Sequence, residues 1–260
     1  MDDIVTEQAG SILRVQLNRP TKRNAMTSAM YVALAGIFNE AAKDENTRVV
    51  LWHGAGDSFC AGNDIQDFLK NPPGPGESPQ AQLMKALVNI DKPLVAAVHG
   101  AAIGGGTTML THCDFIYAGE STKFQMPFIN LAVVPEFGSS YSVPLRIGHV
   151  RAAELILLGG PFDARRAAEV GLVTEVVSDK DVLARATETA RKLAAKPAAA
   201  MQASKRLIKQ PFREQIAAAM KAENEEFSVQ VRSEDAKEAL TAFLEKRKPD
   251  FTKTKSRTTA

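Results

Sequence analysis

The sequence predicts an α/β fold followed by a helical C-terminal region. Residues 48–53 (RVVLWH) and 93–99 (PLVAAVH) are nearly continuous apolar runs bounded by turn residues, which is typical of strands buried on both faces. Between these two runs, apolar residues recur at helical spacing after Thr27. An order of strand, helix and strand along the chain is the pattern of an α/β fold.

Further elements follow the same rhythm through the first two thirds of the chain. Apolar runs predict three more strands, at residues 11–17, 114–118 and 173–177. Helical spacing predicts two more helices, at residues 150–158 and 163–170. In the helix between the first two runs, Thr27 or Ser28 is placed to cap the N-terminus. Its apolar face carries Tyr31, Leu34, Ile37, Phe38 and Ala41.

Two segments break this alternation. Residues 71–80 (NPPGPGESPQ) hold four prolines and two glycines, which predicts a loop. After residues 196–197 the strand signals stop, and the spacing predicts amphipathic helices at 212–227 and 236–246. The last helix has an apolar stripe of Ala239, Leu240, Phe243 and Leu244. We expect that stripe to cover either the chain's own domain or a neighbouring subunit.

Composition and charge exclude several classes of protein. The 260 residues carry a net charge of +2 with 24% charged residues, so we expect no nucleic-acid partner. The basic excess at residues 246–257 is predicted to be a solvated tail. Cys60, Cys113 and the four histidines lack disulfide or metal-ligand spacing. Without a signal-peptide pattern, a peroxisomal address or an apolar run of roughly 20 residues, we expect a cytoplasmic protein with no membrane partner.

A run of three glycines in residues 101–111 (AAIGGGTTMLT) follows a buried strand and opens a helix. The first amides of a helix have no partner within the helix, and glycine lets a ligand approach the backbone closely. The turn is therefore suited to hold negative charge, although a tightly packed strand-to-helix turn explains it equally well on its own. The glycine spacing matches neither the dinucleotide-binding fingerprint nor the phosphate-binding loop.

Residues 59–68 (FCAGNDIQDF) form a second turn of this kind. Ala61 and Gly62 are small, and Asp64 is placed to cap a helix that begins after it. Two such turns offer two free amides after buried strands. If these amides converge, they are sufficient to stabilise an oxyanion, and losing one donor of this type typically costs about 2.7–4 kcal/mol of transition-state stabilisation.

With the segments 19–26 (RPTKRNAM) and 126–148, these two turns resemble the crotonase (enoyl-CoA hydratase/isomerase) superfamily in order and spacing. The resemblance extends over about residues 4–250. It implies a spiral of ββα units over residues 1–195 that carries the acyl-CoA site. It also implies a helical region at 196–260 that packs between the subunits of a homotrimer or a dimer of trimers. The oxyanion amides would be those of Asn63 and Gly105.

The position of carboxylates separates the activities within this family. Hydratases of the family carry two glutamates, and the matching positions here hold Thr108 and Phe128. Another acid, Glu136, lies in an apolar stretch (AVVPEFGSS), which would raise its pKa and suit it to accept and return a proton. A solvated turn glutamate is the alternative interpretation. The surrounding motifs resemble the peroxisomal-type Δ3,Δ2-enoyl-CoA isomerases, whose catalytic glutamate occupies the place of Glu136.

The resemblance implies an isomerase that converts 3-enoyl-CoA to trans-2-enoyl-CoA, with Glu136 as catalytic base, no metal and no cofactor apart from the coenzyme A of the substrate. Phe128, Leu131 and Phe137 would shape a dry acyl pocket. The phosphates of coenzyme A need nearby cations, for which Lys22 and Arg23 are candidates, although solvated loop residues explain both equally well. Backbone contacts with coenzyme A are expected from Ala25, Ala61, Asp64 and Ile65.

Three alternative functions remain open at this point. The first is an isomerase that acts on the ring epoxide or ring double bond of an aromatic-acid CoA thioester. The second is an enoyl-CoA hydratase with weak residual activity. The third is a non-catalytic acyl-CoA binder, in which Glu136 is only a turn residue.

Overall fold

A computed structural model describes residues 2–70 and 77–254. The nine strands of this described part are numbered in chain order and form two sheets. The larger sheet has six strands, which lie side by side in the order β1 (Ile4–Ala9), β2 (Ile12–Leu17), β3 (Val49–Gly54), β4 (Leu94–Val98), β6 (Phe115–Gly119) and β9 (Glu175–Val177). β1 pairs with β2 in the antiparallel sense, and every other neighbouring pair in this sheet is parallel. The predicted strands all lie in this sheet.

A smaller sheet contains β5 (Ala101–Ile103), β7 (Lys123–Gln125) and β8 (Pro161–Asp163). The chain passes between the two sheets at regular intervals. It leaves the larger sheet at β4 to enter β5, leaves it again at β6 to enter β7, and returns from β8 to β9. Each passage adds one turn to a spiral. The short strands of the smaller sheet were not predicted, because three residues are too few to show a period.

Ten α-helices lie in the described residues: α1 (Ser28–Lys43), α2 (Ile65–Lys70), α3 (Pro79–Asn89), α4 (Gly105–Thr108), α5 (Ser139–Ile147), α6 (His149–Leu157), α7 (Ala164–Glu169), α8 (Val182–Ala194), α9 (Ala198–Gln230) and α10 (Glu234–Leu244). The predicted cap of α1 is confirmed, because the Thr27 side chain accepts a hydrogen bond from the Met30 N–H. The predicted apolar face of α1 is also confirmed, since Tyr31, Leu34 and Phe38 are buried.

The central strands β3 and β4 of the larger sheet are buried on both faces, which explains their continuous apolar runs. On one face, Trp52 packs edge-on against Phe38 and Phe59, with ring centroids 5.3 and 5.5 Å apart. On the other face, residues such as Leu51 pack in a second cluster that includes Ala186 of α8. Alternate residues of a strand point to opposite faces, so both faces need apolar side chains.

The structure corrects part of the loop predicted at residues 71–80. Residues 71–76 lie outside the described part of the chain. Pro79 begins α3 instead of continuing the loop, and the Ser78 side chain caps this helix by accepting a hydrogen bond from the Ala81 N–H. Proline is tolerated in the first turn of a helix because its missing N–H would have no partner there.

The C-terminal region differs from its predicted form. The helix expected at 212–227 is the second half of α9, which continues through Pro211. Within this chain, Phe243 and Leu244 of the predicted stripe of α10 are 58% and 57% exposed, and their coverage by a neighbouring subunit stays a prediction. The buried face of α10 consists of alanines (Ala236, Ala239 and Ala242), which allow a close approach to the rest of the fold. The division of the chain at residue 195 stays a prediction.

Several large apolar side chains are exposed on the helices, including Val150, Leu157 and Leu158 on or beside α6 and Leu207 and Ile208 on α9. Within the described ranges, no helix combines the length and the apolar character that crossing a membrane requires. Assembly as a homotrimer or a dimer of trimers stays a prediction.

A buried ion pair ties α9 to the larger sheet. The Lys205 ammonium lies 2.7 Å from the Asp114 carboxylate and donates to the Lys92 carbonyl at 2.6 Å. The same carboxylate accepts the Leu94 N–H at the start of β4, at 2.7 Å. Asp114 thus has the structural role that its place at the entrance of a strand indicates.

We expect Lys205→Met to lower the free energy of unfolding by about 3–5 kcal/mol, because it leaves the carboxylate at residue 114 without its buried partner. Arg206→Met is the control, since Arg206 is half exposed and forms a surface pair with Asp91, worth about 0–1 kcal/mol. Urea unfolding followed by circular dichroism measures both. Equal losses in the two variants would contradict a special role for the buried pair.

Candidate active site

The two glycine-containing turns meet through their backbones. Cys60 and Ala102 form an isolated parallel bridge, with hydrogen bonds from Cys60 N–H to Ala101 O and from Ile103 N–H to Cys60 O, both 2.9 Å long. A Cβ on Gly62, whose φ is +90°, would lie 2.9 Å from the Ile103 carbonyl oxygen. Only glycine allows this approach without strain. The small residues in the two motifs therefore bring the two turns together.

Two backbone amides are left free where the turns meet. The neighbouring residues of Asn63 are both bonded, since Gly62 O accepts from Met26 N–H and Asp64 N–H donates to Met26 O. Gly105 is the first residue of α4, so its N–H has no partner within the helix. In residues 2–70 and 77–254, neither the Asn63 nor the Gly105 N–H donates to a backbone carbonyl.

Both residues line a cavity of about 390 Å³, called here the glycine-loop cavity. Of the predicted substrate-binding residues, Ala61 and Ile65 line it, and so do Phe128 and Leu131 of the predicted acyl pocket. Phe137 does not line this cavity and is fully buried against Tyr31, with ring centroids 6.0 Å apart. The lining is mainly apolar, so hydrogen bonds made inside it are little screened by solvent.

A second cavity of about 910 Å³, the helix cavity, lies between α3 and α9. Asn63, Glu136 and Phe227 line both cavities. These residues therefore stand where the two cavities adjoin. Of the described residues around the glycine-loop cavity, Glu136 is the one carboxylic acid.

The Glu136 carboxyl lies directly beside Gly105. A Cβ on Gly105 would lie 2.9 Å from Oε1 of Glu136 and 3.3 Å from the Tyr31 hydroxyl. The structure thus brings together all three predicted catalytic residues, Glu136, Asn63 and Gly105, at one cavity wall. The positions that hold glutamate in hydratases carry no acid: Thr108 is buried and its hydroxyl donates to Gly104 O, and Phe128 is an apolar part of the lining.

The surroundings of Glu136 favour its protonated form. Burial raises the pKa of Glu136 to about 7, and the negative charge of Glu223 acts in the same direction. A hydrogen bond with the Asn63 side chain acts in the opposite direction and lowers the pKa. A carboxyl group with a pKa near neutrality can both accept and return a proton.

Tyr31 contributes to the site although the sequence predicted it only as a core residue of α1. Its hydroxyl donates a hydrogen bond of 2.6 Å to Oδ1 of Asn63. Burial, followed by the charge of Glu136, raises the pKa of Tyr31 well above its ordinary value, so the hydroxyl keeps its proton. Because Oδ1 of Asn63 is occupied, the NH2 group of that side chain is the part available to Glu136.

The early loop that carries the predicted cations is held by Asn24. Oδ1 of Asn24 accepts from the Arg19 N–H, and its Nδ2 donates to the Ala55 and Ser58 carbonyls at 2.9 and 2.7 Å. Lys22 and Arg23 are exposed beside this anchor. Their role with coenzyme A stays a prediction. Asn24 itself was missed because a buried asparagine leaves no signal in polarity patterns.

The other predicted coenzyme A contacts are engaged within the chain. Ala25 O accepts from the Arg19 guanidinium at 2.6 Å. The Asp64 carboxylate pairs with Arg19 at 3.1 Å and accepts the N–H groups of Gln66 and Asp67, so its predicted capping role is confirmed. Neither residue lines the glycine-loop cavity, and their contact with coenzyme A also stays a prediction.

The C-terminal helices close one side of the glycine-loop cavity. Leu240 and Phe243 of α10 line it, so part of the predicted stripe covers the chain's own site. Arg247 also lines it and is paired with Glu238 and Glu245. Arg247 is exposed despite these ion pairs, in agreement with the solvated tail that the sequence predicts. Lys255 and Arg257 of the same predicted tail lie outside the described residues.

His112, the histidine bonded to the turn that carries Glu136, has a structural partner. The His112 ring donates from Nε2 to Phe137 O at 2.8 Å, and burial lowers its pKa to about 3, which keeps the ring neutral. Among the described residues, no three His, Cys, Asp or Glu side chains are grouped in a way that could hold a metal ion.

Two free amides, one carboxyl of raised pKa and an apolar cavity define a site for acid–base chemistry next to a polarised carbonyl group. Residues 7–254 match the family model of the enoyl-CoA hydratase/isomerases. The chain belongs to this family. The family and the crotonase-type α/β fold that the sequence predicts are both confirmed.

Individual relatives include isomerases as well as hydratases. The 1,2-epoxyphenylacetyl-CoA isomerase of Escherichia coli is 32% identical, over 97% of this chain and 99% of that protein. Enoyl-CoA delta isomerase 2 of Rattus norvegicus is 32% identical over 95% of this chain and 64% of that protein. The crystal structure of an enoyl-CoA hydratase/isomerase from Pseudoalteromonas atlantica matches with a TM-score of 0.92 and 38% identity, covering 96% of this chain and all of that one.

We expect Glu136→Gln to stabilise the protein above pH 8 and to leave its stability unchanged near pH 4. The pKa of Glu136 is raised from 4.5 to about 7, so the folded protein binds this proton more tightly than the unfolded chain does. The resulting contribution to the free energy of unfolding is fully present below pH 4.5 and is lost as the pH rises through 7. Glutamine avoids the loss, worth about 3 kcal/mol.

Thermal unfolding midpoints from pH 4 to 9 measure this difference. The control is Glu225→Gln, which replaces an exposed carboxylate of α9. If the difference in thermal unfolding midpoint between Glu136→Gln and the wild-type protein does not change with pH, the carboxyl group does not have a pKa near neutrality.

Proposed function

We propose that this protein is an isomerase that converts 3-enoyl-CoA thioesters to trans-2-enoyl-CoA thioesters. The observation that carries the proposal is the carboxyl group of Glu136, which lies beside Gly105 at a mainly apolar cavity wall and has a pKa of about 7. Acid–base chemistry at neutral pH needs a group of this kind. The match to enoyl-CoA delta isomerase 2 supports the same activity.

In the proposed mechanism, the N–H groups of Asn63 and Gly105 donate hydrogen bonds to the thioester oxygen. The Glu136 carboxylate takes a proton from C2, and the electron pair moves into the thioester group to form a dienolate. The protonated Glu136 then returns the proton to C4, and the double bond moves from C3–C4 to C2–C3. The reaction is redox neutral, and we propose that it uses no cofactor beyond the coenzyme A of the substrate.

The absence of acids at two positions argues against ordinary hydration. Adding water to a double bond needs groups that activate the water and protonate the carbon, and the family's hydratases use two glutamates for this. Thr108 and Phe128 occupy those places, and neither side chain can act as a carboxylate acid or base. A single carboxyl group suffices when one proton leaves and returns on the same substrate.

A second candidate keeps the site and changes the substrate. The match to 1,2-epoxyphenylacetyl-CoA isomerase covers nearly the whole of both chains, so an aromatic-acid CoA thioester with a ring epoxide or ring double bond is the alternative. The helix cavity adjoins Glu136 and offers about 910 Å³ beyond it, which is room for either an acyl chain or a ring.

We expect Glu136→Gln to lower the turnover of 3-hexenoyl-CoA by at least about a hundredfold, the usual scale for losing a general acid or base. Binding of a saturated acyl-CoA should remain, because glutamine has the same shape. Spectrophotometry of the conjugated product and calorimetry measure the two quantities. Glu226→Gln, which replaces an exposed carboxylate of α9 outside both cavities, is the matched control and should keep full activity.

Other results would favour the alternatives. Binding without any turnover by the wild-type protein would favour an acyl-CoA binder. Accumulation of a 3-hydroxyacyl-CoA from a 2-enoyl-CoA would identify a hydratase. Strong preference for a ring substrate would favour the second candidate.

The pH dependence of kcat/KM gives an independent measurement. We expect kcat/KM for 3-hexenoyl-CoA to rise with pH through about 7, because Glu136 must be ionised to accept the C2 proton and its pKa in the free protein is about 7. Steady-state rates between pH 5 and 9 locate the midpoint. A kcat/KM that no longer changes with pH above about 6, as expected for a glutamate with its ordinary pKa of 4.5, would show that the carboxyl group is solvated in the free protein.

A further inference from the structure

A buried carboxylate on α9 holds the turn that carries Glu136. Glu223 is 6% exposed, and its two oxygens accept the N–H groups of Gly138 and Ser140, each at 2.7 Å. These are first-turn amides at the start of α5, which have no partner within that helix. Gly138 is the N-cap of α5 and has no side chain to satisfy them. Glu223 supplies this cap from 85 residues away in the sequence.

The turn needs such a support because its backbone is strained. Phe137, directly after Glu136, has a φ of +64°, and Gly138 has a φ of +66°. A residue with a side chain is disfavoured in this left-handed region and persists there only where its surroundings impose it. His112 holds the Phe137 carbonyl on one side, and Glu223 holds the Gly138 N–H on the other.

We propose that Glu223 is a positioning residue for Glu136. In this role Glu223 couples helix α9 to the turn that carries Glu136. The proposal goes beyond the activity assigned above, although it rests on Glu136 being the reacting group. A structural cap alone would only stabilise α5. A positioning residue also changes how readily Glu136 gains and loses its proton.

The charge of Glu223 supports this second effect. A buried negative charge opposes the ionisation of a neighbouring carboxyl group, and Glu223 raises the pKa of Glu136 in this way. The pKa of Glu223 is itself raised by burial, while the hydrogen bonds from residues 138 and 140 act in the opposite direction. The charge of Glu223 therefore acts on the Glu136 carboxyl group across the turn and opposes its ionisation.

Other groups around Glu136 have fixed charge states or partners of their own. Tyr31 on α1 and Cys60 in the first turn are neutral, because burial raises both pKa values, that of Cys60 to about 12. Besides Glu136 and Glu223, the charged residues of the described chain that line the helix cavity are Glu77, Lys85, Arg213, Lys221, Glu225 and Arg232. Lys85 pairs with Glu77, Lys221 pairs with Glu225, and Arg213 pairs with Asp91 outside the lining.

Glu223→Gln tests the proposal. It removes the charge and leaves one acceptor oxygen for two N–H groups. We expect kcat to fall about tenfold, the loss that one charge-assisted hydrogen bond represents. We expect the midpoint of the kcat/KM profile to move to lower pH by about one unit, because the ionised form of Glu136 is no longer opposed.

Two further variants separate positioning from stability. Glu223→Asp keeps the charge on a shorter side chain, so kcat should fall while the midpoint stays near that of the wild-type protein. Glu226→Gln changes an exposed carboxylate of α9 three residues away that lines neither cavity, and should alter neither quantity. Thermal unfolding of each variant reports the loss of stability separately. If Glu223→Gln does not fold, Glu223→Asp with an unchanged midpoint and reduced kcat still supports the proposal, and unchanged kcat overturns it.

An activity-independent readout keeps the proposal distinct from the assigned function. The infrared carbonyl band of protonated Glu136, identified by subtracting the Glu136→Gln spectrum, can be titrated with and without Glu223. A shift of this titration to lower pH in Glu223→Gln supports the proposal even if 3-enoyl-CoA is not the substrate. An unchanged titration overturns the proposal, whether or not the isomerase activity is found.

Discussion

The site depends on the close backbone contact between the two glycine-containing turns. The hydrogen bonds that join Cys60 to residues 101 and 103 hold the turn that follows β3 beside β5. This contact leaves the N–H groups of Asn63 and Gly105 on a common cavity wall, free of backbone partners. Amides held rigidly in this way need no reorganisation when a negative charge develops on a bound oxygen, which is why preorganised donors stabilise such charges well.

The second requirement is a carboxyl group whose pKa is raised by its surroundings. Glu136 lies in a turn whose left-handed residues would relax if their neighbours did not hold them. His112 and Glu223 provide that restraint from different parts of the chain, and Tyr31 orients the Asn63 amide that faces the carboxyl. The C-terminal helices thus complete the catalytic environment as well as the fold, since α9 supplies Glu223 and α10 lines the cavity.

Much of the site could be predicted because its chemistry lies in local motifs. Asn63, Gly105 and Glu136 each sit in a turn that the sequence marks with glycine, proline or an apolar flank, and the family resemblance orders the three. Tyr31, Asn24 and Glu223 could not be predicted. Each is a polar residue whose role is a contact with a segment distant in the sequence, and the position of Tyr31 on an apolar helix face indicates only that it is buried.

The sequence by itself determined five strands of the larger sheet, the α/β class and the two glycine-containing turns, because each of these follows from local periodicity and from the conformational preferences of glycine and proline. The tertiary structure alone decided which groups surround the Glu136 carboxyl. Its raised pKa results from burial and from Glu223 on a distant helix. Desolvation and charge interactions depend on distances in space, which neighbouring residues in a sequence do not specify.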